Sequence, residues 1–360
     1  MYKINDKTEL IKGIKSRNRI VMPPMDTLMA TDGFVNDFHI QHYGARAYGG
    51  IGTIIIESTA VSSEGRIRQN DLGLWKDEQI EGYKRIALLA HQAGSIIGAQ
   101  LNHAGAKAEL EELTMGTTNF YSYLDQKNFR LTTEKDLQRI ENDFVKASMR
   151  AKTSGLDFVE LHAAHGYLLN EILHPTLNEI NKQNNMVDRS KMIIEILKRI
   201  KEEVDIPVGI RLSVSDDLNS SKLKIEDFKP FIEAIEEYVD YFHISSGSTI
   251  GARNQVEITP KPTTKMFRIP YAEQVMKWTK KNVITVGNYN TIEDINYALS
   301  KNIPYIAIGR EALYNPNLLI NSLLTSDQMS DEDYHWNKNP WFNPKQYTKL
   351  MEEIKSKSKK

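Results

Sequence analysis

The sequence predicts an α/β fold: a single eight-stranded parallel (β/α)8 barrel with loop insertions and a C-terminal extension. Three observations lead there. Short apolar, β-branched runs alternate with amphipathic stretches from about Arg19 onward, as expected when strands of a parallel sheet are buried on both faces. Eight such runs fit into roughly the ~250 residues that a barrel needs, with insertions to spare. No G-x-G-x-x-G follows the first run, so an open dinucleotide-binding sheet lacks its best sequence support.

The runs are Arg19 to Met22, Ile51 to Glu57, Ile96 to Leu101, Asp157 to His162, Ile206 to Leu212, Tyr241 to Ser245, Val283 to Gly287 and Tyr305 to Gly309. Between them lie helical stripes. Leu137, Ile140, Phe144, Ala147 and Ala151 form one, begun by a Thr132-Thr133-Glu134 cap and ended near Gly155. Phe228, Ile232, Ile235 and Val239 form another, and Thr291 opens a third that carries Ile295, Ala298 and Leu299. Two insertions, Asn102 to Thr132 and His174 to Arg189, follow the third and fourth runs, on the face where barrels place their sites. The barrel is expected over residues 1–324. Residues 325–360, with Trp336 and Trp341 near Pro340 and Pro344, read as an extension packed on it, ending in a solvated KSKSKK tail.

Composition narrows the chemistry. With 46 Lys plus Arg against 47 Asp plus Glu, no net field steers the chain to nucleic acid or anionic lipid. The absence of cysteine excludes disulfides, thiolate metal sites, iron–sulfur clusters and cysteine nucleophiles. No run approaches the ~20 apolar residues that cross a bilayer, and no signal core opens the chain, so a soluble cytoplasmic protein is expected.

On the barrel reading, chemically capable residues should stand where the runs stop. In VELHAAHGYLLNEIL, His162 closes a run, His165 follows three residues later and Tyr167 lies just beyond. A helical turn between the histidines would bring both imidazoles to one side. Their N–H groups could then hold a carbonyl or nitro oxygen while the phenol delivers a proton. A structural His pair is the plain alternative; a metal pair lacks a third ligand at a recognised spacing. The last two runs end in Gly287-Asn288 and Gly309-Arg310, each before an apparent helix start, where backbone N–H groups and a guanidinium can face a phosphate. Gln100 and Arg211 project toward the same mouth and suit the edge of a heteroaromatic ring and its anionic reduced state. Buried ion pairing is the alternative for Arg211, with Glu57 as its partner. His103, His243 and the Met22/Met25 pair read as structural or packing residues.

The motifs MPPM (22–25), ESTAVSSEGRIRQNDLGLW (57–75), QLNHAGAKAE (100–109), HAAHGYL (162–168), RLS (211–213) and IGR (308–310) together resemble the Old Yellow Enzyme family, in order from about Asn18 to Pro316 and in its bacterial, paired-His form. The resemblance implies FMN at the barrel mouth. Pro23, Pro24, Met25, Ser58, Gln100 and Arg211 would surround the ring, and Gly287, Asn288, Gly309 and Arg310 would hold the phosphate. It further implies NADH or NADPH as reductant, with ping-pong reduction of activated C=C bonds in α,β-unsaturated carbonyl or nitro compounds. In that scheme His162 and His165 bind the activating oxygen and Tyr167 protonates the α-carbon. A homo-oligomer is compatible with it.

The departures are local. Asp26 and Leu28 stand where the bacterial branch usually has Cys and Tyr, and an acid there would disfavour an anionic reduced ring. NEINKQNNMVDR (178–189) lacks the usual Arg, Asp, Tyr and paired Gly, and the C-terminal segment has no arginine cluster. These changes keep two alternatives open: a quinone or nitro reductase with an altered pocket, and a flavin-binding barrel of reduced catalytic competence.

Overall fold

The computed structural model describes residues 2–119, 128–183, 185–248, 264–320 and 349. The strands are β1 (Ile20–Met22), β2 (Thr53–Ala60), β3 (Ile96–Asn102), β4 (Phe158–Ala163), β5 (Val208–Ser213), β6 (Tyr241–Ser245), β7 (Asn282–Val286) and β8 (Tyr305–Ala307). Each pairs in parallel with the next, and β8 and β2 both pair with β1, so the sheet closes. Closure leaves no free edge, and the lumen is filled by side chains. The helices α1 (Asp37–Tyr48), α2 (Ile80–Gln92), α3 (Glu134–Thr153), α4 (Lys191–Arg199), α5 (Phe228–Ile235), α6 (Ile269–Val275), α7 (Ile292–Ser300) and α8 (Arg310–Tyr314) surround it.

Local signals set the helix starts. Thr133 caps α3 by accepting from the Asp136 N–H, and Thr291 caps α7 through Asp294 in the same way. Each such cap contributes about 1 kcal/mol. Strand alternation then sorts the core into two shells. One face of the strands, including Ile54, Ile56, Val159, Leu161, Ile210 and Leu212, packs with Phe144, Ile196 and Phe231 of the helices. The other face fills the lumen with Val21, Ile55, Ile96, Phe158, Tyr241, Ile284 and Tyr305. An antiparallel hairpin, Thr8–Ile11 with Ile14–Ser16, adds Leu10 and Ile11 to this cluster, and Thr8 Oγ1 lies 2.8 Å from the Tyr305 hydroxyl. The N-terminal end of the barrel is thereby plugged.

One strand departs from the sequence reading in a way that matters. β2 does not stop at Glu57 but runs to Ala60, because Ser58–Ala60 pair with Gln100–Asn102. Ile56 faces Ala99 and Ser58 faces Gln100, so Glu57 is the extra residue of a β-bulge. The predicted 325–360 extension, with Trp336 and Trp341, lies outside the described residues apart from Lys349.

Candidate active site

The C-terminal half of the lumen is polar because β4, β5 and β6 are in register there: His162 faces Arg211, and Arg211 faces His243. The chain then turns sharply after β4. His165 sits at φ 62 and Gly166 at φ 82, so a left-handed turn, and not the expected helical one, brings the imidazoles together. Their rings meet edge to face, with centroids 5.1 Å apart, and the Tyr167 ring stands 4.9 Å from that of His162. The His165 backbone N–H donates to Ser213 Oγ (3.0 Å), and its Nε2 lies 2.8 Å from Ser245 Oγ.

The electrostatics suit neutral donors. Burial foremost, then the cations Arg211 and Lys107 for His162 and the cation Arg211 for His165, hold both imidazoles well below the usual range. His162 Nδ1 accepts from the Ala164 N–H (3.3 Å), which leaves its proton on Nε2. Burial, reinforced by Asp26, Asp71 and Glu109, pushes the Tyr167 phenol above its ordinary range, so it remains a proton carrier. Lys107, to which the sequence reading assigned no role, donates to the His165 carbonyl (2.9 Å), with its ammonium 4.8 Å from the Tyr167 ring centroid.

Beside this trio opens a cavity of about 210 Å³ lined by Pro23, Pro24, Met25, Arg211, Asn288, Gly309 and Arg310, all named as cofactor candidates from sequence. Gln100, Ser58 and Gly287 do not line it. Arg310 donates to Asn288 Oδ1 (2.6 Å), and Asn288 adopts φ 61. The helix after β7 begins only at Ile292, so Gly287-Asn288 is a turn and not a helix N-terminus. Two residues of this region escaped the sequence reading. Arg268 lines the cavity, donating through Nε to Ser246 Oγ (2.7 Å), and burial pulls its pKa down to about 10. No motif surrounds it, and only the fold brings it beside Arg310. Asp71 accepts from the Ile67 N–H (2.6 Å), and burial with Asp26 nearby pushes it up to about 7.

The expected Arg211–Glu57 pair does not form. The bulge turns Glu57 toward α1, where its carboxyl accepts from the Thr27 N–H (2.6 Å) and the Tyr43 hydroxyl (2.9 Å). The foremost electrostatic partner of Arg211 is instead Glu160. Asp26 is exposed, does not line the cavity, and accepts from the Ser58 N–H (3.1 Å). The protein around it raises its pKa to about 6, against the pull of that N–H and of Arg211, Lys107 and Arg68.

Residues 10–322 match the model of the NADH:flavin oxidoreductase / NADH oxidase family. The chain belongs to that family. The NADPH dehydrogenase of Listeria welshimeri is 35% identical over 313 residues, covering 85% of this chain and 90% of the relative, and that of Listeria monocytogenes serovar 1/2a is 34% identical with the same coverage. In fold, morphinone reductase superposes with a TM-score of 0.75 at 23% identity, covering 90% of each chain. Old Yellow Enzyme from Pichia sp. AKU4542 gives 0.75 at 21% identity, covering 92% of each.

As an NAD(P)H-dependent flavin oxidoreductase of the Old Yellow Enzyme type, the protein takes FMN as cofactor. The cavity fits that group. Three guanidinium groups, Arg211, Arg268 and Arg310, line it, and Arg211 Nε is buried with no hydrogen-bond partner among the described residues. A Cβ on Gly309 would come within 3.2 Å of Met25 Sδ, so a side chain there would crowd the cradle. Among the described residues no group of three His, Asp or Glu could hold a metal ion, and no helix is long and apolar enough to cross a membrane.

Proposed function

We propose that this flavin oxidoreductase reduces the activated C=C bond of α,β-unsaturated carbonyl or nitro compounds, with NADH or NADPH and the oxidant alternating at one pocket. The observation that carries the reading is the meeting of His162, His165 and Tyr167 at the level of Arg211. FMN, when bound, supplies the hydride. Arg211, Pro23, Pro24 and Met25 of the cavity lining, with Gln100 and Ser58 from outside it, would hold its ring, and Asn288, Gly309, Arg310 and Arg268 of the lining, with Gly287 from outside it, would hold its phosphate.

The protein's own part is polar and preorganised. His162 Nε2–H and an N–H of His165 hold the activating oxygen; the tautomer that frees His165 Nδ1–H requires the Ser245 hydroxyl to donate to Nε2. Donors aimed at developing negative charge contribute about 10²–10³ each in rate. Tyr167, kept protonated, places its proton on the α-carbon, a role worth about 10²–10⁴.

One anaerobic titration tests this. NADPH or NADH should bleach the flavin band of the purified protein, and 2-cyclohexenone should restore it. Bleaching without recovery would overturn the C=C assignment. Quinone- or nitro-driven recovery in its place would favour the altered-pocket reading, which the Asp26 carboxyl at the Ser58 N–H supports. Recovery with no oxidant would leave a flavin-binding barrel of reduced competence.

A further inference from the structure

One layer deeper than the His162–Arg211–His243 level lies a group that the chemistry above does not use. Glu160 is fully buried and accepts from Gln100 Nε2 (2.8 Å), His243 Nδ1 (2.9 Å) and the Tyr241 hydroxyl (3.1 Å). Register builds this layer: Gln100 faces Glu160, Glu160 faces Gly209, and Gly209 faces Tyr241. Gly209 is required there, since a Cβ would sit 2.1 Å from the Tyr241 ring and displace the phenol from the carboxylate. Burial works to raise the Glu160 pKa, but His243, Arg211 and Gln100 outweigh it and hold the carboxyl below its ordinary range. Burial also keeps His243 neutral, so its Nδ1–H is a donor. An ionised carboxylate can only accept, so it selects the amide nitrogen of Gln100 and leaves Oε1 as the acceptor.

We propose that Glu160 is the positioning residue of the cofactor site: it fixes Gln100 so that Oε1 is offered to a ring N–H, and it offsets the charge of Arg211, limiting how strongly that guanidinium favours the anionic reduced ring. This rests on reading Gln100 and Arg211 as FMN contacts.

The test uses the FMN-loaded protein. Glu160→Gln removes a negative charge near the ring at nearly constant volume. The midpoint potential of bound FMN should rise, and the Kd for oxidised FMN should weaken by up to about tenfold, the loss of one hydrogen bond between neutral groups. In a Gln100→Met background the same change should add no further loss of affinity. A merely structural role would lower thermal stability and leave the potential unmoved, and that result would overturn the proposal. If Glu160→Gln does not fold, Tyr241→Phe, which strips one donor and keeps the charge, must weaken FMN binding severalfold; unchanged affinity overturns the proposal equally. Arg211→Met separates the two readings. FMN retained as tightly in that variant means the site reading has failed, whereas FMN lost there but unaffected by Glu160→Gln sinks only the role of Glu160.

Discussion

The two ends of the lumen are built from the same strands and obey different rules. At the floor, Val21, Ile55, Phe158, Ile284 and the rings of Tyr241 and Tyr305 fill space against Leu10 and Ile11. At the mouth, two to four residues further along the strands, stand Gln100, Glu160, His162, Arg211 and His243. The floor contributes by burial, about 1.5–3 kcal/mol for each large apolar side chain. The mouth carries buried polar atoms with no partner among the described residues, including Arg211 Nε and His243 Nε2, each costing about 1–3 kcal/mol until a ligand or water satisfies it. A barrel of this kind is stabilised at one end and held in readiness at the other, so variants at the two ends should separate stability from chemistry.

Four experiments sharpen or break that division. The largest effect is expected for Tyr167→Phe. Stopped-flow oxidation of the reduced flavin by an enone should slow about 10²–10⁴-fold while reduction by NADPH is unchanged; equal slowing of both halves would remove Tyr167 from its proton-donor role. At the floor, Ile284→Ala should lower unfolding free energy by about 2–5 kcal/mol, measured in urea, with the flavin potential unmoved. A shifted potential would show that floor and mouth are coupled.

Arg211→Met comes next. Its Kd for FMN, followed by flavin fluorescence, should weaken about 30–100-fold, as expected when a charged hydrogen-bonding group is removed. Added FMN should raise the Tm of the wild type and much less that of the variant, because only ligand bound to the folded state stabilises it. Equal Tm gains would place the cofactor elsewhere.

The smallest effect concerns pH. Glu171, in the short helix after β4, takes the Ala106 and Thr117 N–H groups, and burial pushes its carboxyl up to about 8 from 4.5. The folded state therefore holds a proton that the unfolded chain has released, so this contribution is complete below pH 4.5 and lost as pH rises through about 8. Glu57, raised to about 7, acts in the same sense. Thermal melts should fall from pH 6 to pH 9, and Glu171→Gln should flatten that slope; an identical slope would mean that Glu171 is ionised throughout.

Much of the architecture was legible because it is local. Apolar runs bounded by polar residues mark strands, and Thr-x-x-Asp caps mark the starts of α3 and α7. The site trio lies within six residues of sequence, so its membership was readable, although the left-handed turn at His165 was not: a β-carbon-bearing residue at positive φ leaves no compositional trace. Glu160 could have been found by alternation, since it stands two residues before His162 on one strand and shares its face.

Strand count, the chemical type of each strand end and the family can all be read along the chain. Tertiary structure alone decided who meets whom. Glu160 and Gln100 are 60 residues apart in the chain, and Arg268 reaches the cavity from just before α6, with no motif to announce it. Glu57, bulged out of register, turns toward α1 and leaves Glu160 as the foremost charge partner of Arg211. The physical reason is that periodicity records which face a residue occupies, while register and closure, set by pairing between distant strands, record its partner.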